Sequence, residues 1–209
     1  MAETLKFAFD HAYARDMGLQ ADGLACRRGG RLIFKDISFT LHAGQALRLA
    51  GVNGSGKSSL LRQLAGLLPV ADGMFIHVLS PLRDMHYLGH DDGLKAALSV
   101  AETLVYECAL ARKEVPQALL TDLGLAASDW QYVGDLSAGQ KRRLTLARLL
   151  LDPRPLWLLD EPLTALDASG RKLVEDLAEA HLARGGMIIA ASHEALAFAT
   201  QELRLGADA

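Results

Sequence analysis

Cysteine is nearly missing: two of the 209 residues, Cys26 and Cys108. They stand far apart and outside any C-x-x-C pattern, so the chain carries no local signature of a metal centre, a redox pair or a covalent haem attachment. A reducing compartment suits it. Positive charge is not in excess either, with 22 Lys and Arg against 25 Asp and Glu and a formal net charge of −3. That leaves no electrostatic case for a surface tracking phosphates, and no nucleic-acid partner is expected. No run of eighteen uncharged apolar residues occurs, and the N-terminus lacks the basic start and apolar run of a signal peptide. The chain is therefore not expected to cross a membrane by itself. Repeats and low-complexity stretches are missing as well. What the chain has in quantity is apolar residues, at 50%, enough for one sizeable α/β domain with a small subdomain.

One run carries most of the chemistry. Gly51, Val52, Asn53, Gly54, Ser55, Gly56, Lys57 and Ser58 match G-x-x-x-x-G-K-[ST] at every fixed position. Backbone amides can turn inward on a triphosphate only where the chain comes close and takes unusual dihedrals, which glycine permits. Lys57 is placed to reach the β- and γ-phosphates, and the Ser58 hydroxyl to hold Mg²⁺. Ala46 to Ala50 reads as a strand before the loop, and Ser59 onward has helical spacing after it, which is the order such a loop requires. ATP with Mg²⁺ is the expected ligand.

A second element repeats this logic with carboxylates. Leu156 to Leu159 is an apolar strand ending in Asp160 and Glu161, as expected of a buried strand delivering charge to a sheet edge. Asp160 is the candidate for Mg²⁺, through water. Glu161 is the candidate for orienting or deprotonating an attacking water.

Around these motifs the chain divides simply. Residues 1–22 read as an N-terminal extension in which Leu5, Phe9, Tyr13 and Met17 recur every four positions, as on a short helix. Residues 23–206 read as one domain. Short strands at Leu32–Phe34 and Ile37–Leu41 open it. Strands Met74–Val78 and Met85–Leu88 come next, and helical periodicity over Ser99–Arg112 and Pro116–Leu125 marks an inserted helical subdomain at about 90–150. Helix Ala138–Leu151, strand Leu156–Leu159, helix Ala168–Ala183 and strand Met187–Ala191 then give the rhythm of a parallel sheet.

Between the two nucleotide motifs lies Leu136-Ser-Ala-Gly-Gln140. Alone, a Ser-x-Gly helix start is usually only a cap. Placed here, it resembles the signature motif of ATP-binding-cassette (ABC) ATPases, and the resemblance runs from about Leu24 to Leu205. It implies an α/β P-loop NTPase with a small N-terminal antiparallel β layer, a parallel-sheet core and an inserted helical subdomain. It also implies a homodimer in which Ser137, Gly139 and Gln140 of one subunit meet the γ-phosphate on the other. Thr164 to Asp167 resembles the loop that communicates across that dimer. His193, after the strand Met187–Ala191, resembles the switch histidine that contacts the γ-phosphate. Catalysis would then rest on Lys57, Glu161 and His193.

Tyr87 to Lys95, followed by Leu98 and Glu102 to Leu104, is similar to the ATP-binding subunits of the haem exporter of bacterial cytochrome c maturation. That resemblance implies integral membrane subunits as partners and a peripheral position on the cytoplasmic face of the bacterial inner membrane. Those proteins read His-Gln where this chain reads His90-Asp91, so Asp91 becomes a further Mg²⁺ candidate, acting through water. His86, His90, Asp91 and Asp92 also superficially resemble a transition-metal cluster, but an extended Met85–Leu88 argues against it. For adenine, Arg27 or Arg28 could stack on the base; the plain alternative is two solvated arginines in a hairpin. Two other functions are open at this level: an ABC ATPase for another small cargo, and a soluble, non-transport ABC ATPase. A small-molecule kinase does not explain LSAGQ.

Overall fold

The computed structural model describes residues 12–14, 17–77, 79, 81–116 and 118–206. They form two compact units, one of residues 91–153 and 163–177 and one of residues 12–90, 154–162 and 178–206. The helix expected to carry Leu5, Phe9, Tyr13 and Met17 lies for its larger part outside the described residues.

The second unit holds two sheets. In the smaller, β1 (Gly18–Arg28) lies between β2 (Arg31–His42) and β4 (Asp72–His77), antiparallel to both. Residues 18–22, read from the sequence as extension, are thus paired strand. Leu19 and Ala21 are buried while Gln20 between them is exposed, the alternation of a half-covered strand. The signal was hidden by Gly18, Asp22 and Gly23, which read as breakers. Strand β2 is continuous where two short strands were expected. Asp36 takes φ 56°, and shifts of register against β1 absorb the interruption. Gly29 and Gly30, with φ 55° and 79°, close the hairpin in the two-residue form that needs positive φ at both positions.

The larger sheet is wholly parallel, in the order β5 (Met85–Leu88), β6 (Leu156–Asp160), β7 (Met187–Ala191), β3 (Ala46–Ala50), β8 (Gln201–Arg204). Every residue of β6 and β7 is buried. Strands covered on both faces read as unbroken apolar runs, and for that reason they were visible in the sequence. Strand β8 was not: it lies at the sheet edge with half-exposed and exposed residues in alternation, and charged edge strands give little hydrophobic signal. Leu19, Leu41, Leu49, Leu60, Leu61, Leu158 and Ile189 share one core. It ties both sheets to the helix Lys57–Leu64.

The other unit is helical. Its first helix, Val100–Ala111, is closed by a reciprocal capping box between Ser99 and Glu102. A single turn, Leu119–Asp122, stands where a longer helix was expected at 116–125. The expected helix over 138–151 is two pieces, Ala138–Thr145 and Ala147–Leu151. The amide of Leu146 reaches only to Arg143, a tight turn that breaks the regular i−4 ladder. Leu104, Cys108, Leu119, Leu123, Val133 and Leu144 are buried here.

Candidate active site

Three neighbouring strands of the parallel sheet end in the residues singled out from the sequence. β3 runs into Gly51, β6 ends at Asp160, and β7 leads to Ser192 and His193. Side chains at the C-terminal edge of adjacent parallel strands share one crevice, where ligands of such sheets bind.

The loop after β3 is shaped by its glycines. Gly51 has φ 145°, and a Cβ there would lie 2.5 Å from the Leu205 carbonyl and 2.7 Å from Ser55 Oγ. Gly56 has φ 102°, and a Cβ there would meet Phe34 Cδ1 at 2.6 Å. Both positions exclude a side chain on space and on dihedral. Gly56 is also the N-cap of the helix Lys57–Leu64, and no side chain among the described residues caps it. Its first amides are therefore left for an anion, at the positive end of the helix dipole. Ser55 Oγ is buried and makes no hydrogen bond among the described residues. Lys57 is buried, its ammonium donating to the carbonyls of Gly51 at 2.8 Å and Val52 at 3.2 Å. An ammonium centred in the loop, free amides and an unpartnered hydroxyl fit a polyphosphate. Val52, Asn53 and Gly54 form the exposed outer turn, while Ser58 and Ser59 stand in the first turn of the helix.

Asp160 is 3% exposed. Glu161 follows in the left-handed region, φ 50°, a conformation that costs an ordinary residue about 1–2 kcal/mol. Its amide donates to the Ala191 carbonyl at 2.9 Å, which holds the reversal in place. The result turns Glu161 away from its neighbour and onto the β7 loop, with Oε1 3.2 Å from His193 Nε2. That loop is pinned at several points. The Ser192 amide donates to the Leu49 carbonyl at 3.2 Å, and Ser192 Oγ both donates to the Glu194 carbonyl and accepts from its amide. Arg48, from β3, donates to the carbonyl of His193 at 3.0 Å.

Arg28 ends β1 and is exposed beside the Gly29–Gly30 turn. Cys26, two residues earlier, is fully buried; burial raises its pKa and a hydrogen bond with Ser59 opposes the rise. That contact ties the hairpin to the phosphate-loop helix.

The remaining candidates belong to the helical unit. Ser137 is the N-cap of Ala138–Thr145, its Oγ accepting from the Gln140 amide at 3.2 Å while Gln140 Oε1 accepts from the Ser137 amide at 2.9 Å. Gln140 also donates to Ser128 Oγ. A Cβ on Gly139 would come within 2.8 Å of the Ala165 carbonyl, so the helix start lies against the Thr164–Asp167 loop. Arg143, from the same helix, donates to Asp167 and, at 2.6 Å, to Ser169 Oγ. Asp167 also accepts from the Gly170 amide, and these bonds, that amide first, hold its carboxyl below the ordinary aspartate range. Asp91 is exposed; its neighbours Asp92 and Gly93 are held through their carbonyls by Arg148. Among the described residues no group of three or more His, Cys, Asp or Glu could hold a metal ion.

The structure thus brings Gly51 to Ser59, Asp160, Glu161 and His193 into one unit, while Ser137, Gly139, Gln140 and Asp91 stand in the other. Sequence reasoning missed Arg48, Arg143 and the left-handed Glu161. A charge in the middle of an apolar strand was the available signal for Arg48.

Comparison with known proteins places the chain in a family. The sequence profile of the ABC transporter family matches residues 34–164, and the chain belongs to that family. At finer resolution it groups with cytochrome c biogenesis ATP-binding export proteins CcmA. The protein of that name from Methylococcus capsulatus is 47% identical over 193 residues, covering 87% of this chain and 93% of the relative. The one from Rhodopseudomonas palustris is 44% identical over 200 residues, covering 92% and 100%. Among solved structures, one assigned as an ABC transporter ATP-binding protein of Pyrococcus furiosus superposes with a TM-score of 0.78 at 24% identity, over 90% of this chain and 97% of that one. At that identity the likeness speaks for the fold.

Proposed function

We propose that this chain is the ATP-hydrolysing motor subunit of an ABC export complex serving cytochrome c biogenesis, with haem export or handling as the process driven. The observation that carries the reading is Glu161 set 3.2 Å from His193 at the mouth of a phosphate-binding loop. The phosphates of ATP lie against the amides of Gly54 to Ser58, and the Lys57 ammonium exchanges the loop carbonyls for the β- and γ-oxygens. The Ser58 hydroxyl and the buried Asp160 carboxylate are hard oxygen donors of the kind Mg²⁺ accepts alongside phosphates and water. When bound there, the ion neutralises charge on the phosphates. Asp91 is a candidate to reach that ion through water.

Glu161 takes the proton of the attacking water as its oxygen bonds to the γ-phosphorus, and the bond from that phosphorus to the β,γ-bridging oxygen breaks, giving ADP and phosphate. The His193 imidazole donates to the γ-phosphate and reports its loss. The helix start at Ser137, Gly139 and Gln140 serves the γ-phosphate bound by a second copy of the chain, so that two ATP molecules hold a homodimer shut. Loss of the γ-phosphate removes the bridging contacts and lets it open. Arg28 lies on the adenine side. No helix among the described residues is long and apolar enough to cross a membrane. In this reading separate integral membrane subunits carry the cargo path, and the chain sits peripherally on the cytoplasmic face of the inner membrane.

The test is ATP-dependent dimerisation of Glu161→Gln followed by light scattering. The reading expects a dimer with ATP and Mg²⁺ and a monomer with ADP. A monomer under both conditions would refute the shared-nucleotide arrangement.

A further inference from the structure

Arg48 occupies a position that a parallel sheet normally gives to a branched aliphatic residue. It is the middle residue of β3, and β3 lies between β7 and β8, with Arg48 in register with Ala190 on one side and Glu202 on the other. Both sequence neighbours, Leu47 and Leu49, are buried in the core. The Arg48 side chain is only 14% exposed. A guanidinium taken out of water there costs less the more of its donors are used. Nη1 donates to Glu202 Oε2 at 2.5 Å and Nη2 to the carbonyl of His193 at 3.0 Å, while Nε is buried and makes no hydrogen bond among the described residues. Glu202 is itself fixed by Arg204, whose Nε lies 2.8 Å from Oε1. The planar fork of arginine makes both contacts at once, which a lysine ammonium at the same place could not do with the same geometry. The far end of this chain of bonds is the backbone of the residue whose imidazole lies 3.2 Å from Glu161.

We propose that Arg48 is a positioning residue for His193: aimed by Glu202, it holds the His193 carbonyl so that the imidazole stays over Glu161 and the γ-phosphate position. This rests on the role given to His193 above. Arg48 acts through His193 and touches no reacting atom. The rival explanation is a pair that merely fastens β8 to β3, in which case its loss would lower stability and leave hydrolysis by the folded protein as it was.

The experiment is a double-mutant cycle in the full chain assembled with its membrane subunits. Single-turnover hydrolysis of radiolabelled ATP is read so that slow variants remain measurable, with KM from steady state. Arg48→Met is expected to lower the hydrolysis rate on the order of tenfold with KM for ATP little changed. In a His193→Ala background the same substitution is expected to lower it no further. Arg48→Lys is expected to recover only part of the rate. An equal fall in both backgrounds, or an unchanged rate in folded Arg48→Met, overturns the proposal. If Arg48→Met does not fold, Glu202→Gln is crossed with His193→Ala and read by the same criteria. A His193→Ala variant with normal turnover would refute the role of His193 in hydrolysis. The ring resonances of His193 in Arg48→Met, which are expected to shift while those of the other histidines stay, would then still decide whether Arg48 positions it.

Discussion

The helices Lys57–Leu64 and Ala138–Thr145 both begin at motifs expected to meet phosphate, and they satisfy their first turns in opposite ways. The first starts at a glycine in a positive-φ conformation, without a side-chain cap. Its donors point into a loop whose own ammonium and hydroxyl lack a finished set of partners, and the ligand completes the structure. The second caps itself through Ser137 and Gln140 before any ligand arrives. Its hydroxyl and the Gln140 amide are already bonded to each other in the folded chain. The phosphate loop is therefore built to bind tightly as part of one chain. In the dimer proposed above, the signature helix is the face that a phosphate held by the second copy engages and leaves. The proposed motor, which closes and reopens, uses one of each.

Variants test that contrast, and the largest effect concerns chemistry. Glu161→Gln removes the proton acceptor and keeps the loop, so hydrolysis should fall by a factor on the order of 10³ while equilibrium ATP affinity stays. A fall in affinity of similar size would mean that Glu161 belongs to the binding site and not to the reaction. Lys57→Ala removes charge-assisted bonds to the phosphates and should weaken ATP binding by about a hundredfold, measured by calorimetry. Ser137→Ala should leave that affinity alone in the isolated chain. Equal losses in the two variants would erase the distinction between the helix starts.

Stability effects come next. Gly56→Ala forces a Cβ against Phe34 and a positive φ on alanine, and should cost about 2 kcal/mol in urea unfolding. Phe34→Leu in the same chain should return part of it, whereas simple additivity of the two changes would rule out the clash as the cause. Ser137→Ala loses a cap worth about 1 kcal/mol, and Gln140→Ala should share that loss, since the two side chains form one reciprocal box.

The smallest effect is electrostatic. The folded pKa of Asp167 lies below its ordinary value of 3.8. Its contribution to stability is fully present above that ordinary value and is lost as pH falls through the lower folded value. Arg143→Ala removes one of the bonds responsible, so the Asp167 titration followed by NMR should move up toward 3.8. It should not reach it, because the Gly170 amide, the larger cause, remains. No movement at all would show that Arg143 contributes nothing to that shift.

Legibility in the sequence followed burial and continuity. Strands β5 and β7 and the helix Ala168–Ala183 were read with the bounds they have, because apolar runs and helical spacing are strong signals when an element is covered. Strand β1 was misread at its start, since glycine and aspartate there argue for a turn and only pairing with β2 and β4 overrides them. Helix 138–151 was read as unbroken because nothing in Leu146 marks the tightened turn.

The spacing of Gly51, Gly56, Lys57 and Ser58, the Asp160-Glu161 pair and LSAGQ decided the reaction class by themselves, because local backbone geometry makes a phosphate site and local geometry is written in local sequence. How distant residues act on one another came from the folded chain alone: Glu161 turned onto His193, Arg48 bonded to the His193 carbonyl, Gly139 seated against Ala165. Those contacts join strands and loops up to 145 positions apart. They follow from sheet order and register, which a chain acquires only when its core closes.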